Sequence, residues 1–186
     1  MLKYLNADKK NFSQKLEIIL SSRKLNQQIK SAEVKKILLD VKKRGDQAVL
    51  KYERKFSNIK SKSKKMKFSK KEINKITKSV DKDLKKSIDT AFKRIKKFHL
   101  KQNFSPFRFK DKFKNELSYN YSPIEKVGVY VPGGTASYPS TVLMNCIPAI
   151  VAGVKNIYLT TPALGTSVNP AVIYAAKKCG VREIYK

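Results

Sequence analysis

Tyr130-Val131-Pro132-Gly133-Gly134 closes a short β-branched run, Val127 to Val131, and opens a segment that carries no charge as far as Val154. A Pro-Gly-Gly breaker between an apolar strand and an apolar helix puts flexible backbone at a strand's carboxyl end, beside a helix N-terminus. Open α/β sheets hold ligands there, and the free N–H groups suit phosphate. The spacing is not GxGxxG, so by itself the turn is first of all a tight connection. The other reactive residue types assemble no site. Ser140 and Thr141 read as a helix cap rather than as nucleophiles, because no histidine is available as their base. The single histidine, His99 in KKFHLKQ, reads as a surface or helix-packing residue. Cys146 and Cys179 stand 33 positions apart with no CxxC spacing, and are expected to be buried, reduced thiols. A catalytic zinc needs about three protein ligands, and no such set can be drawn from these residues. The polypeptide as it stands is expected to be catalytically inert.

The elements that would position the turn follow from pattern. With 186 residues, 41% hydrophobic and 30% charged, the chain suits one domain plus a helical extension. The net charge of +28 is unevenly spread, +24 within residues 1–120 and +4 after them. There are 36 lysines to 6 arginines, set around helices as a solvated face. Specific nucleic-acid readers favour the arginine fork interleaved with exposed aromatics. A basic, non-catalytic nucleic-acid-binding module is therefore the alternative reading, and only weak, non-specific polyanion binding is expected. The N-terminus shows no secretory signal, and Val142 to Val154, broken by Asn145 and Pro148, is too short to cross a bilayer. A cytoplasmic location is expected, with no membrane partner.

Residues 1–101 are expected to be helical. Phe12, Leu16, Ile19 and Leu20, then Ile29, Val34, Ile37, Leu38 and Val41, recur at helical spacing up to Gly45, where Asp46 reads as the next N-cap. Asn58 to Phe68 is a Lys/Ser connector. Ser69 with Glu72 forms a capping-box signature, and a longer helix from about Asp81 carries Leu84, Ile88, Ala91, Ile95 and Phe98 on one face. Residues 102–122 form an aromatic connector with possible short strands. From residue 123 to 186 the order becomes strand, helix, strand, helix, strand, with a second strand at Asn156 to Thr160, Asn169-Pro170 opening a helix, Gly180 closing it and a third strand from Val181. The expected fold class is α/β: an N-terminal helical region followed by the start of a Rossmann-like, mostly parallel sheet. Such a sheet is expected to be covered by helices on both faces. As an incomplete sheet it should have a bare edge at its third strand and a helix, Thr141 to Gly153, short of cover, and should be poorly soluble or sticky.

The run VGVYVPGGTASYPSTVLMNCIPAIVAGVKNIYLTTPA, followed by NPAVIYAAKKCGVREIY, closely resembles the histidinol dehydrogenase family. The likeness extends more weakly upstream to RGDQAVLKYERKF and AFKRIKKFHLKQ. It implies an oxidoreductase of histidine biosynthesis that takes L-histidinol to L-histidine in two NAD-dependent steps, with a bound zinc, a Glu-His pair that handles protons, and a homodimeric assembly. Tyr130 matches the family's NAD-contacting tyrosine, and Pro132 would help shape the same cofactor pocket. Read from its residue type alone, Tyr130 could equally be a sheet-core tyrosine. The family pattern continues past residue 186 into the part that holds the zinc ligands, the Glu-His pair and most substrate contacts. The resemblance therefore implies an N-terminal portion of such an enzyme, without zinc ligands or catalytic residues of its own.

Overall fold

The computed structural model describes residues 5, 7, 10–56, 66–102, 105–133, 138–162 and 168–186, with backbone alone for 22–31. The chain divides into two compact units, Met1–Ser63 and Lys64–Lys186. In the first, α1 (Phe12–Arg44) and α2 (Asp46–Phe56) meet at Gly45, which takes φ +54. Both the Ala48 and the Val49 N–H donate to the Gly45 carbonyl. Asp46 is thus the first residue of α2 rather than its cap, because the glycine already occupies the junction. Asp40 ties the two helices together, accepting from Arg44 and, at 2.9 Å, from the Tyr52 hydroxyl. These bonds, Arg44 first, hold its carboxyl down at about 2. Among the described residues of this unit only Ala48 is fully buried, while Val34, Leu38 and Leu39 stay more than half exposed.

The second unit holds α3 (Lys70–Lys78), α4 (Lys82–His99), a hairpin of β1 (Phe107–Lys110) and β2 (Glu116–Tyr119), and then β3 (Lys126–Tyr130), α5 (Pro139–Val151), β4 (Asn156–Thr160), α6 (Pro170–Lys178) and β5 (Glu183–Tyr185). The capping box that opens α3 is complete. The Glu72 N–H donates to Ser69 Oγ at 3.2 Å, and the Ser69 N–H donates to the Glu72 carboxylate at 2.7 Å. Asp81 caps α4 by accepting from the Asp83 and Leu84 N–H groups. Ile88 is buried and Ala91, Phe92 and Ile95 pack against the core, but Leu84 and Phe98 lie outside it, 42% and 65% exposed. The expected five-residue apolar face is therefore narrower than its pattern.

Strands β3, β4 and β5 form a parallel sheet in that order. Two Schellman closures feed it. Gly153 (φ +90) ends α5, with the Val154 N–H donating to the Ala149 carbonyl, and Gly180 (φ +67) ends α6, with the Val181 N–H donating to the Ala176 carbonyl. Val129, Val131, Ile157, Leu159 and Ile184 share one core with Val142, Leu143, Cys146 and Ile147 of α5 and with Ala171, Val172, Ile173, Ala175 and Ala176 of α6. Helix α3 packs on α6, and α4 packs on both α5 and α6. The helices thus form two layers on one side of the sheet, which explains why α6 is apolar on both its flanks.

Three expectations about the sheet fail. Among the described residues of this unit, α3 to α6 cover one face: along each strand buried residues alternate with exposed or half-buried ones, and the outer set (Gly128, Tyr130, Tyr158, Thr160, Tyr185) contributes nothing to the core. Two successive right-handed crossovers stepping the same way place both helices on the same face. The edge at β5 is not bare. The end of the Lys/Ser connector pairs antiparallel with it, the Phe68 N–H donating to the Ile184 carbonyl at 2.9 Å and the Lys186 N–H to the Met66 carbonyl at 2.7 Å. Nor is α5 short of cover, since α4 and α6 bury four of its residues.

The hairpin is amphipathic. Phe107 opposes Tyr119 and Phe109 opposes Leu117 on one face, while Arg108 pairs with Glu116 on the other. Asp111 makes its turn by accepting from the Phe113 and Asn115 N–H groups, with Lys114 at φ +65.

Candidate functional site

The carboxyl ends of β3 and β4 lie side by side, with Tyr130 opposite Thr160 in the ladder. The Val131 N–H donates to the Thr160 carbonyl at 2.9 Å, carrying the pairing one residue past the strand. Val131 is fully buried, so its neighbours on either side turn outward. Tyr130 is 62% exposed on the outer face, apart from the core described above. Pro132 follows, half-buried. Gly133 does not take a positive φ; a Cβ there would stand 3.2 Å from Pro162 Cβ and 3.4 Å from the Pro162 carbonyl. Glycine at this position is set by the close approach of the chain leaving β4. Residues 134–137, including Gly134, lie outside the described part.

Two helix N-termini face the same end of the sheet. At α6 the Asn169 side chain accepts from the Ala171 N–H at 2.7 Å, so the expected Asn-Pro opening is realised. At α5 the N-cap residue, Tyr138, makes no side-chain cap bond among the described residues: Pro139 is the first helical residue, and Ser140 and Thr141 already lie inside the helix. The reading of those two hydroxyls as a cap is corrected, because the proline moves the helix start one residue ahead of them. Thr160 and Pro162 belong to this end as much as Tyr130 and Pro132. The signal for them was the Thr-Thr-Pro after β4, which becomes meaningful only when the parallel register sets it against Tyr130.

The remaining reactive groups lie elsewhere or are spoken for. His99 ends α4, its Nδ1 2.6 Å from the Gln102 side-chain oxygen and its ring edge-on to Phe98. Cys146 and Cys179 are free and buried. The hydrogen bond between them, and then burial, push the Cys179 thiol far above its ordinary value. Among the described residues no group of His, Cys, Asp and Glu could hold a metal ion. The described residues therefore do not fit the zinc that the resemblance implies. A groove of about 460 Å³ lined by Leu100, Gln102, Tyr121, Pro123 and Val151 lies at the amino ends of β3 and β4, the far side from the turn. Among the described residues no helix is long and apolar enough to cross a membrane.

A parallel βαβαβ unit with a proline-glycine turn at the end of its first strand is part of an open α/β sheet, the class of protein that takes ligands at the carboxyl ends of its strands. The family model for histidinol dehydrogenase matches residues 20–186, and the chain belongs to that family. The histidinol dehydrogenase of Pelagibacter ubique is 51% identical over 185 residues, spanning 100% of this chain and 42% of the relative. That of Carboxydothermus hydrogenoformans is 41% identical over 89% of this chain and 39% of its own length. The crystal structure of histidinol dehydrogenase from Elizabethkingia anophelis superposes with a TM-score of 0.77 at 34% identity, over 84% of this chain and 36% of that one. The chain thus spans about two fifths of the curated relatives it matches.

Proposed function

We propose that this chain supplies the N-terminal, cofactor-facing part of a histidinol dehydrogenase, the oxidoreductase of histidine biosynthesis that converts L-histidinol to L-histidine with two NAD. The observation that carries this reading is Tyr130, exposed at the carboxyl end of the first parallel strand in a chain of this family. An aromatic ring with a hydroxyl donor at a strand end offers NAD both a packing face and a hydrogen bond, and Pro132 walls the same side. NAD supplies the hydride acceptor when bound. Zinc and the proton-handling pair come from sequence beyond this chain, as does the homodimeric assembly, in a cytoplasmic setting.

The test joins residues 1–186 to the part of the Pelagibacter ubique relative beyond the matched region and follows NADH formation from L-histidinol. Production by the joined protein is expected, with a KM for NAD raised about 5- to 10-fold in Tyr130→Ala, the equivalent of roughly 1 to 1.4 kcal/mol, and less in Tyr130→Phe. An unchanged KM for NAD in Tyr130→Ala would remove Tyr130 from the cofactor site.

A further inference from the structure

Helix α4 packs its inner side on α5 and α6 and turns a row of lysines outward. Lys82, Lys86, Lys93 and Lys97 are all exposed. At about 100° and 1.5 Å per residue they fall within one arc of roughly 60° and form a line about 22 Å long. Within this unit no carboxylate pairs with that line. Of the eight side-chain carboxylates in residues 64–186, Glu72, Asp81 and Asp111 serve caps and a turn. Glu116, Glu125 and Glu183 pair with Arg108, Lys126 and Lys67. Asp89, beside the row in sequence, is turned to the Tyr174 hydroxyl and to Lys178, both at 3.1 Å. Asp83, the last, stands in the first turn of α4, where the positive helix end favours it. Among the described residues none of the four lysines forms an ion pair. Lys82 with Lys86 and Lys93 with Lys97 are like-charge pairs one turn apart, an arrangement that weakens a helix. A face that serves only as solvated surface mixes both signs; this row does not.

We propose that the lysine row of α4 is a docking surface for duplex nucleic acid, held through its phosphates and without regard to sequence. Charge complementarity selects the occupant. The row is straight and convex, so it fits a linear polyanion lying along the helix. Phe92 and Phe98, the aromatic residues of α4, fall outside the arc, so no ring stands among the lysines to stack a base, as single-strand sites require. Charge density then decides, and a duplex carries one phosphate per about 1.7 Å of axis where each strand alone carries one per about 3.4 Å. Lysine is a point charge without the arginine fork, and phosphate contacts carry no base information.

Fluorescence anisotropy of a labelled 24-base-pair duplex of mixed sequence, titrated with the chain from 25 to 200 mM KCl, tests this. Replacing Lys82, Lys86, Lys93 and Lys97 together by glutamine should lower the slope of log K against log salt by about 3.6, and replacing Lys93 and Lys97 alone by about 1.8. Arginine at the same four positions should leave the slope unchanged. The control replaces Lys35, Lys36, Lys42 and Lys43 of α1, four exposed lysines, by glutamine; it removes the same charge and should leave the slope within about 1 of the wild type. Far-ultraviolet circular dichroism checks that each variant keeps its helices, and the pair variant carries the test if the fourfold one unfolds. The joined protein described above should show the same fall, and its absence there would mean that the row is covered. An equal fall in the α1 control overturns the proposal, since diffuse charge would then do the binding. So does a single strand of the same length bound as tightly as the duplex, or vesicles of anionic phospholipid bound in preference to it.

Discussion

Two glycine-to-alanine substitutions with the same chemistry should move stability in opposite directions. Gly180 takes φ +67 at the end of α6, and a Cβ added there would meet nothing within 4 Å. The whole penalty is therefore backbone strain, roughly 1–2 kcal/mol for a left-handed non-glycine residue, partly offset by roughly 0.4–1 kcal/mol from a stiffer unfolded chain. The net effect of Gly180→Ala should be a loss of about 1 kcal/mol. Gly128 also has open space around it, but lies in an extended strand without a positive φ. There alanine brings no strain and should stabilise by roughly 0.5–1 kcal/mol. The two variants should differ by about 1.5 kcal/mol. With a urea slope of about 2 kcal/mol/M, that separates their midpoints by about 0.7 M. Urea titration followed by far-ultraviolet circular dichroism measures this directly. If Gly180→Ala unfolds at the wild-type midpoint, or Gly128→Ala unfolds earlier than wild type, the account of why these glycines are present is wrong.

Two other outcomes follow from the packing and from the end of the sheet. Ile173 is fully buried between the sheet and the outer helix layer, so Ile173→Ala should cost about 3–4 kcal/mol and Ile173→Val about 1 kcal/mol; equal costs for the two in denaturant titrations would contradict the layered core. Glu72 is held down at about 2, first by the hydrogen bond from Lys186 and then by those from Ser69. A carboxyl with a lowered folded value adds stability that is present above its ordinary 4.5 and lost as the pH falls toward about 2. Melting temperatures measured across that window should therefore fall less steeply for Glu72→Gln than for wild type, and parallel profiles would show that the bond to Lys186 contributes nothing.

Local chemistry made much of the second unit legible in the sequence. The Ser69-Glu72 box, Asn169-Pro170 and Gly180 each act within a few residues, and each appears in the structure as its own hydrogen bonds dictate. The strand at 156–160 was marked by its β-rich alternation. Contacts distant in sequence were not legible. Lys67 and Phe68 carry no strand pattern and become strand-like only because β5 offers them an edge. The one-sided cover of the sheet depends on crossover hand and strand order, which the apolar pattern of α5 and α6 does not encode. At the candidate site, the Pro132-Gly133-Gly134 turn stood out because a breaker follows a β-branched run, whereas Tyr130 and Pro132 were singled out by the family resemblance. Pro162 did not, because its role comes from pressing against Gly133 across the sheet.

The stitch between Met66–Phe68 and β5 has a consequence for how this unit comes into being. Phe68 and Ile184 are more than a hundred positions apart, yet the Phe68 N–H finds its acceptor in the Ile184 carbonyl. Helices α3 to α6 can form in sequence during synthesis, but the last ribbon cannot be sealed until its final residues have left the ribosome and returned to a segment made long before. Until then that flank is raw and able to recruit a neighbour. Closing the flank at β5 is therefore the step of this sheet that waits longest on synthesis.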